Sequence, residues 1–145
     1  MSTKPEPGVY CIYNRVLSES GHPLAMTFNG DNQPITVTPL DSMNTAQHWV
    51  IENYNELQFV IPRTNPDLKA NWEESVMYTR AGGHPCWTIL KEKGYFIQDG
   101  RRTTFWSIDD ADDGAKVCNY DPLRAVSKLV ADNIDHIDGV GPSPS

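Results

Sequence analysis

An aromatic strand opening that recurs at Tyr10, Phe59 and Phe96, the pair Trp49 and Trp87 about 40 residues apart, and turn dipeptides throughout point to repetition. Together they predict an all-β chain of the β-trefoil class for these 145 residues. The first two units close on Trp49-Val50-Ile51 and Trp87-Thr88-Ile89, and the third is expected to close on Lys128-Leu129-Val130. A four-stranded unit of roughly 40 residues cannot bury its own apolar face, so three of them close around a common axis. The result is a six-stranded barrel capped by three hairpins. A seven-strand sandwich or a jelly roll explains the tryptophan rhythm less well.

In the first unit, 8–14 is aromatic and β-branched, which suits a pleated, half-buried surface. A turn over 19–23 leads to a strand at 24–28, and Asn29-Gly30 signals the next turn. Residues 35–38 alternate as a third strand, 39–47 is a polar connector with room for a helical turn, and 48–52 is the fourth strand. In the second unit, 57–61 is a strand closed by Pro62, 68–72 and 75–78 are weaker strands, and 86–90 follows a Gly-rich loop. The third unit opens at Gly94 with Tyr95-Phe96-Ile97-Gln98. At Asp99-Gly100 the glycine is expected to supply the positive φ of a tight turn. Strands then follow at 103–108 and from Lys116. The domain runs from 8 to 132, between a flexible lead-in of 1–7 and an acidic Pro/Ser tail of 133–145 expected to be partly disordered.

Composition narrows the function. A net charge of −7 with no basic face disfavours nucleic acid. No apolar run reaches the roughly 20 residues of a membrane span, and 1–8 has no apolar secretory core. Cys11, Cys86 and Cys118 are an odd count without framework spacing, so free thiols in the cytoplasm are expected.

The chemistry-bearing residues form no catalytic constellation. The acidic run 109–114 mimics a calcium loop, but Ala111 and Tyr120 occupy ligand positions. His22, His48, His84 and His136 lack metal-ligand spacing, so no metal or cofactor is expected. Cys86 beside Trp87 reads as a structural thiol. There is no nucleophile elbow, phosphate loop or dinucleotide fingerprint, so the chain is not read as an enzyme.

Two loops remain as candidates, because a rigid scaffold lets its loops bind. The first, between Trp72 and Trp87, carries Tyr78, Arg80 and His84. Aromatic side chains beside polar groups suit stacking on sugar rings, although both tryptophans are also of a size to fill a barrel. The second, 119–128, carries Leu123, Arg124, Ala125 and Lys128. Pro122 pushes Asp121 toward extended geometry. An extended loop with a long basic side chain fits the acidic primary pocket of a trypsin-like serine protease, and its pre-organisation reduces the entropy lost on docking. The same Arg and Lys also read as ordinary surface residues.

The string Tyr13-Asn14-Arg15-Val16-Leu17-Ser18, with Gly21 and Leu24-Ala25, resembles a group of small fungal cytoplasmic β-trefoils. Val37-Thr38-Pro39-Leu40-Asp41, Tyr95-Phe96-Ile97-Gln98-Asp99-Gly100 and Trp106-Ser107 carry the same resemblance. The group includes the mycospin serine protease inhibitors and related ricin-B-like lectins that bind fucosylated chitobiose. In the inhibitors a basic residue enters the trypsin pocket from the loop between strands two and three or that between strands eleven and twelve. Here 29–34 has no Arg or Lys, whereas the later loop has Arg124 and Lys128. In the lectins the contacts come from a Trp near Trp72 and an Asn-Tyr-Val-Trp run, which aligns with His84-Pro85-Cys86-Trp87. The resemblance therefore implies an inhibitor of trypsin-like proteases, with Arg124 or Lys128 in the pocket and Leu123 and Ala125 flanking. The alternative is a glycan-binding lectin using Trp72, Tyr78, His84 and Trp87. Either would serve fungal defence.

Overall fold

The computed structural model describes residues 4–13, 21–91, 95–109, 112–120 and 133–136. Within them the chain forms short antiparallel strands and a single 3₁₀ turn at Thr45–Gln47, where the connector was expected to coil. In the first unit these are β1 (Gly8–Tyr13), β2 (Leu24–Thr27), β3 (Gln33–Pro34), β4 (Thr36–Pro39) and β5 (Trp49–Tyr54). The second has β6 (Leu57–Pro62), β7 (Leu68–Glu73), β8 (Val76–Ala81) and β9 (Thr88–Lys91). The third has β10 (Tyr95–Gln98), β11 (Phe105–Ser107), β12 (Cys118–Tyr120) and β13 (Asn133–His136).

The barrel strands run β13–β1–β5–β6 and β9–β10. A bridge links the two groups: the Gln58 N–H donates to Trp87 O at 2.9 Å, and the Trp87 N–H donates to Gln58 O at 2.8 Å. The hairpins β2–β4, β7–β8 and β11–β12 form the cap.

At the cap the repetition becomes a ring. The Ile35 N–H donates to Met77 O at 2.9 Å, Met77 N–H to Val117 O at 2.9 Å, and Val117 N–H to Ile35 O at 2.8 Å. All three side chains are fully buried in the main core. Their sequence spacing of about 40 residues repeats the period of the units. With backbone polarity satisfied internally, the apolar side chains can pack on the axis without unpaired groups. This is the β-trefoil.

The same side chain closes the first two units in the same way. The Trp49 indole N–H donates to Met26 O at 2.9 Å and the Trp87 indole N–H to Ala70 O at 3.1 Å, so each closing Trp ties its own second strand. Trp106 meets Trp87 edge-on, with centroids 4.9 Å apart.

Two expectations are corrected. The strand that pairs with β1 is β13, with Tyr10 opposite His136 and Tyr13 opposite Asn133. It falls within the segment expected to be a disordered tail, while 128–130 lies outside the described residues. Asn, Asp and His are weak strand formers, so the sequence reads as a tail, and pairing with β1 overrides that preference. Secondly, the positive φ of the turn after β10 falls on Arg102 (φ 60) and not on Gly100. A Cβ at Gly100 would lie 3.1 Å from Leu57 Cδ1, a close contact with the end of a side chain.

Candidate functional site

The β7–β8 hairpin is tight. Glu73 pairs with Val76, leaving Glu74 and Ser75 as the turn with φ of 50 and 70. Two successive positive φ values are the signature of a type I′ hairpin turn. This short turn ends the strand that carries Trp72 on its outer part. The Trp72 N–H donates to Asn71 Oδ1 at 2.8 Å, and its side chain is 52% exposed. A large indole in that state is unusual, because aromatic side chains normally bury their area.

Trp72 stands at a groove of about 370 Å³, lined also by Leu57, Asn71, His84, Asp99 and Arg101. That volume lies in the roughly 300–1,000 Å³ range of ligand clefts. The wall opposite the hairpin is the turn 99–102 of the third unit. Asp99 fixes it by accepting from the Thr103 N–H and Oγ1–H, both at 2.6 Å, and from the Thr104 N–H at 3.2 Å. Burial alone raises the Asp99 carboxyl, but the bonds from Thr103 and Thr104 outweigh it and hold it below its ordinary value. The carboxylate is therefore charged at neutral pH.

The third wall is the loop 82–86. Gly82 and Gly83 have φ of 87 and 68, conformations that side-chain-bearing residues rarely adopt. His84 leaves this loop and stacks on Tyr54, with Phe59 beside both. Lys69 sits 5.0 Å over the Phe59 ring. Burial pushes the Cys86 thiol up, which keeps it protonated and a poor nucleophile.

The sequence-derived residues thus separate. Trp72 and His84 meet at the groove. Trp87 contributes to its floor, but the side chain is 2% exposed and hydrogen-bonded inward, so its ring is a core element. Tyr78 does not line the groove. The Arg80 guanidinium covers its ring at 4.3 Å, and is itself held by Asn32 and Glu73. Asp99 and Arg101 went unnoticed in the sequence, where they lie far from Trp72 and look like an ordinary turn. Leu123, Arg124, Ala125 and Lys128 lie outside the described residues. No cluster of metal-ligating side chains occurs among the described residues, and no helix there is long and apolar enough to cross a membrane.

The chain is thus a β-trefoil with a loop-built groove beside an exposed indole. Residues 8–124 match the CCL2 lectin-like family model, and the chain belongs to that family. Among solved structures it is similar to a mosquitocidal holotoxin, at 14% identity and a TM-score of 0.71 over 89% of this chain. The chain spans only 18% of that toxin's length. It is also similar to ThreeFoil, a designed three-fold symmetric protein, at 14% identity and a TM-score of 0.62, covering 78% of this chain and 89% of that one. At such identities the likeness is one of fold. A search of curated proteins finds no significant match.

Proposed function

We propose that the protein is a carbohydrate-binding lectin that seats a sugar ring on Trp72. The observation that carries this reading is the half-exposed indole at the edge of a groove edged with polar groups. A pyranose ring has an apolar C–H face and a rim of hydroxyls. The indole takes the face, and Asn71, Asp99 and Arg101 offer donors and acceptors to the rim. Membership of a lectin-like family supports this reading over protease inhibition, for which no feature of the described residues speaks.

The test is a glycan array followed by titration of the retained glycans. Trp72→Ala should weaken binding at least tenfold, about 1.4 kcal/mol. Being exposed, the site should lose no more than about 0.5 kcal/mol of stability. A wild-type protein that retains no glycan, or a Trp72→Ala variant that binds as well as wild type, overturns the proposal.

A further inference from the structure

Arg80 does not line the Trp72 groove, yet its guanidinium is tied to the hairpin that carries Trp72 and to the first unit at once. It lies over the Tyr78 ring at 4.3 Å, and Tyr78 is the strand partner of Asn71. Its Nη1 meets Glu73 Oε1 at 3.3 Å, beside the residue that follows Trp72. Its Nε donates to Asn32 Oδ1 in the loop between β2 and β3. The exposed ion pair with Glu73 alone contributes little. A planar guanidinium that stacks on a ring and donates in two directions is a stiffer link than the pair by itself.

The far end of the link is fixed as well. Asn29 Nδ2 closes the loop 29–34 by donating to Pro34 O and Thr36 Oγ1, both at 2.9 Å. The Asn32 N–H donates to Thr79 O at 2.7 Å, and Thr79 Oγ1 donates to Gly30 O at 2.8 Å. None of the residues 29–34 lines the Trp72 groove.

We infer that Arg80 is a positioning residue for Trp72, bracing its hairpin against the loop 29–34 of the first unit. This rests on the carbohydrate reading of the Trp72 groove and adds a control to it: a loop outside the groove sets the freedom of the indole within it. A half-exposed indole must be ordered when a ligand stacks on it. A brace made beforehand removes that cost from binding. Whatever displaces Asn32 therefore loosens Trp72.

The experiment compares the full chain with its Arg80→Ala, Asn32→Gly and double variants. Gly suits position 32, whose φ is positive, and keeps the backbone bond to Thr79. Without ligand, the Trp72 indole N–H resonance, assigned by its loss in Trp72→Phe, should relax as a more mobile group in every variant, with the other indoles unchanged. A glycan retained on the array should bind each single variant about three- to tenfold more weakly. The double variant should bind no more weakly than Arg80→Ala alone, because both changes cut one link. An unchanged Trp72 signal, mobility raised equally at all indoles, or losses that multiply in the double variant overturns the brace and leaves the Trp72 site standing. If the wild type retains no glycan, the carbohydrate reading falls, and the brace stands or falls on the indole signal alone.

Discussion

The imidazole of His84 lies against the ring of Tyr54, with centroids 5.3 Å apart and planes 11° from parallel. The loop after β8 is thereby fastened to the turn after β5. Phe59 completes the stack, at 4.7 Å from Tyr54. One wall of the Trp72 groove is thus held from outside the groove, and on the proposed lectin reading His84 serves the site through the position of its loop.

Aromatic pairs of this kind contribute about 0.5–1.5 kcal/mol beyond burial. His84→Ala should therefore lower glycan affinity by no more than about tenfold, as the loop 82–86 loses its anchor. His84→Phe keeps the stack and should bind nearly as wild type. If His84→Phe binds as poorly as His84→Ala, the imidazole nitrogens contact the ligand directly and the positional account is wrong.

The closing tryptophans should behave as a pair. Trp49→Phe and Trp87→Phe each remove an indole N–H and strand a buried carbonyl, Met26 O in one case and Ala70 O in the other. Each also leaves a void where the larger ring stood. Equilibrium urea unfolding should show a loss of about 2–3 kcal/mol for either variant. A loss at one position and not the other would break the equivalence of the two units.

The turn under Trp72 carries strain that can be removed. Glu74 and Ser75 occupy left-handed backbone that suits Asn and Gly. Ser75→Gly should raise stability by about 0.5–1 kcal/mol, since the relief at φ 70 exceeds the extra unfolded-state freedom of Gly. The backbone carbonyl of residue 75, which accepts from the Asn119 N–H at 2.8 Å, is untouched by the change. An unchanged or lower midpoint in urea would show that the turn is not left-handed in solution.

Acid should loosen the opposite wall. Because Asp99 titrates below its ordinary value when folded, its contribution to stability is complete above the unfolded value near 4 and is lost as pH falls through the lower folded value. The stability gap between wild type and Asp99→Ala should be constant from pH 7 down to about 4 and shrink below that. A gap that closes already between pH 7 and 5 would assign the effect to another group.

Much of this fold was legible because its cause is local and repeated. Tyr10, Phe59, Trp49 and Trp87 sit where the period puts them, and the β-trefoil followed. Trp72 and Trp87 both occur in strand-like stretches, and only the repeat match of Trp87 to Trp49 sets the two apart in the sequence. The other half of the groove was not legible. Asp99 and Arg101 share a groove with Trp72 across a sequence separation that no local pattern encodes. The strand β13 was not legible because it is specified by its pairing with β1 and not by its own polar residues. Gly100 was read as supplying the positive φ of its turn, which falls on Arg102.

The hydrogen-bonded triangle of Ile35, Met77 and Val117 has a consequence for how such a chain can vary. A ring has no starting point. Each unit gives one bond to the next and takes one from the last, so the cap is indifferent to the order in which the units are spliced. Ties such as that of Arg80 to Asn32 apart, whatever each unit carries on its outer loops can drift independently, provided that its one axial residue stays in step. The groove beside Trp72 is built from such outer loops, of the second and third units.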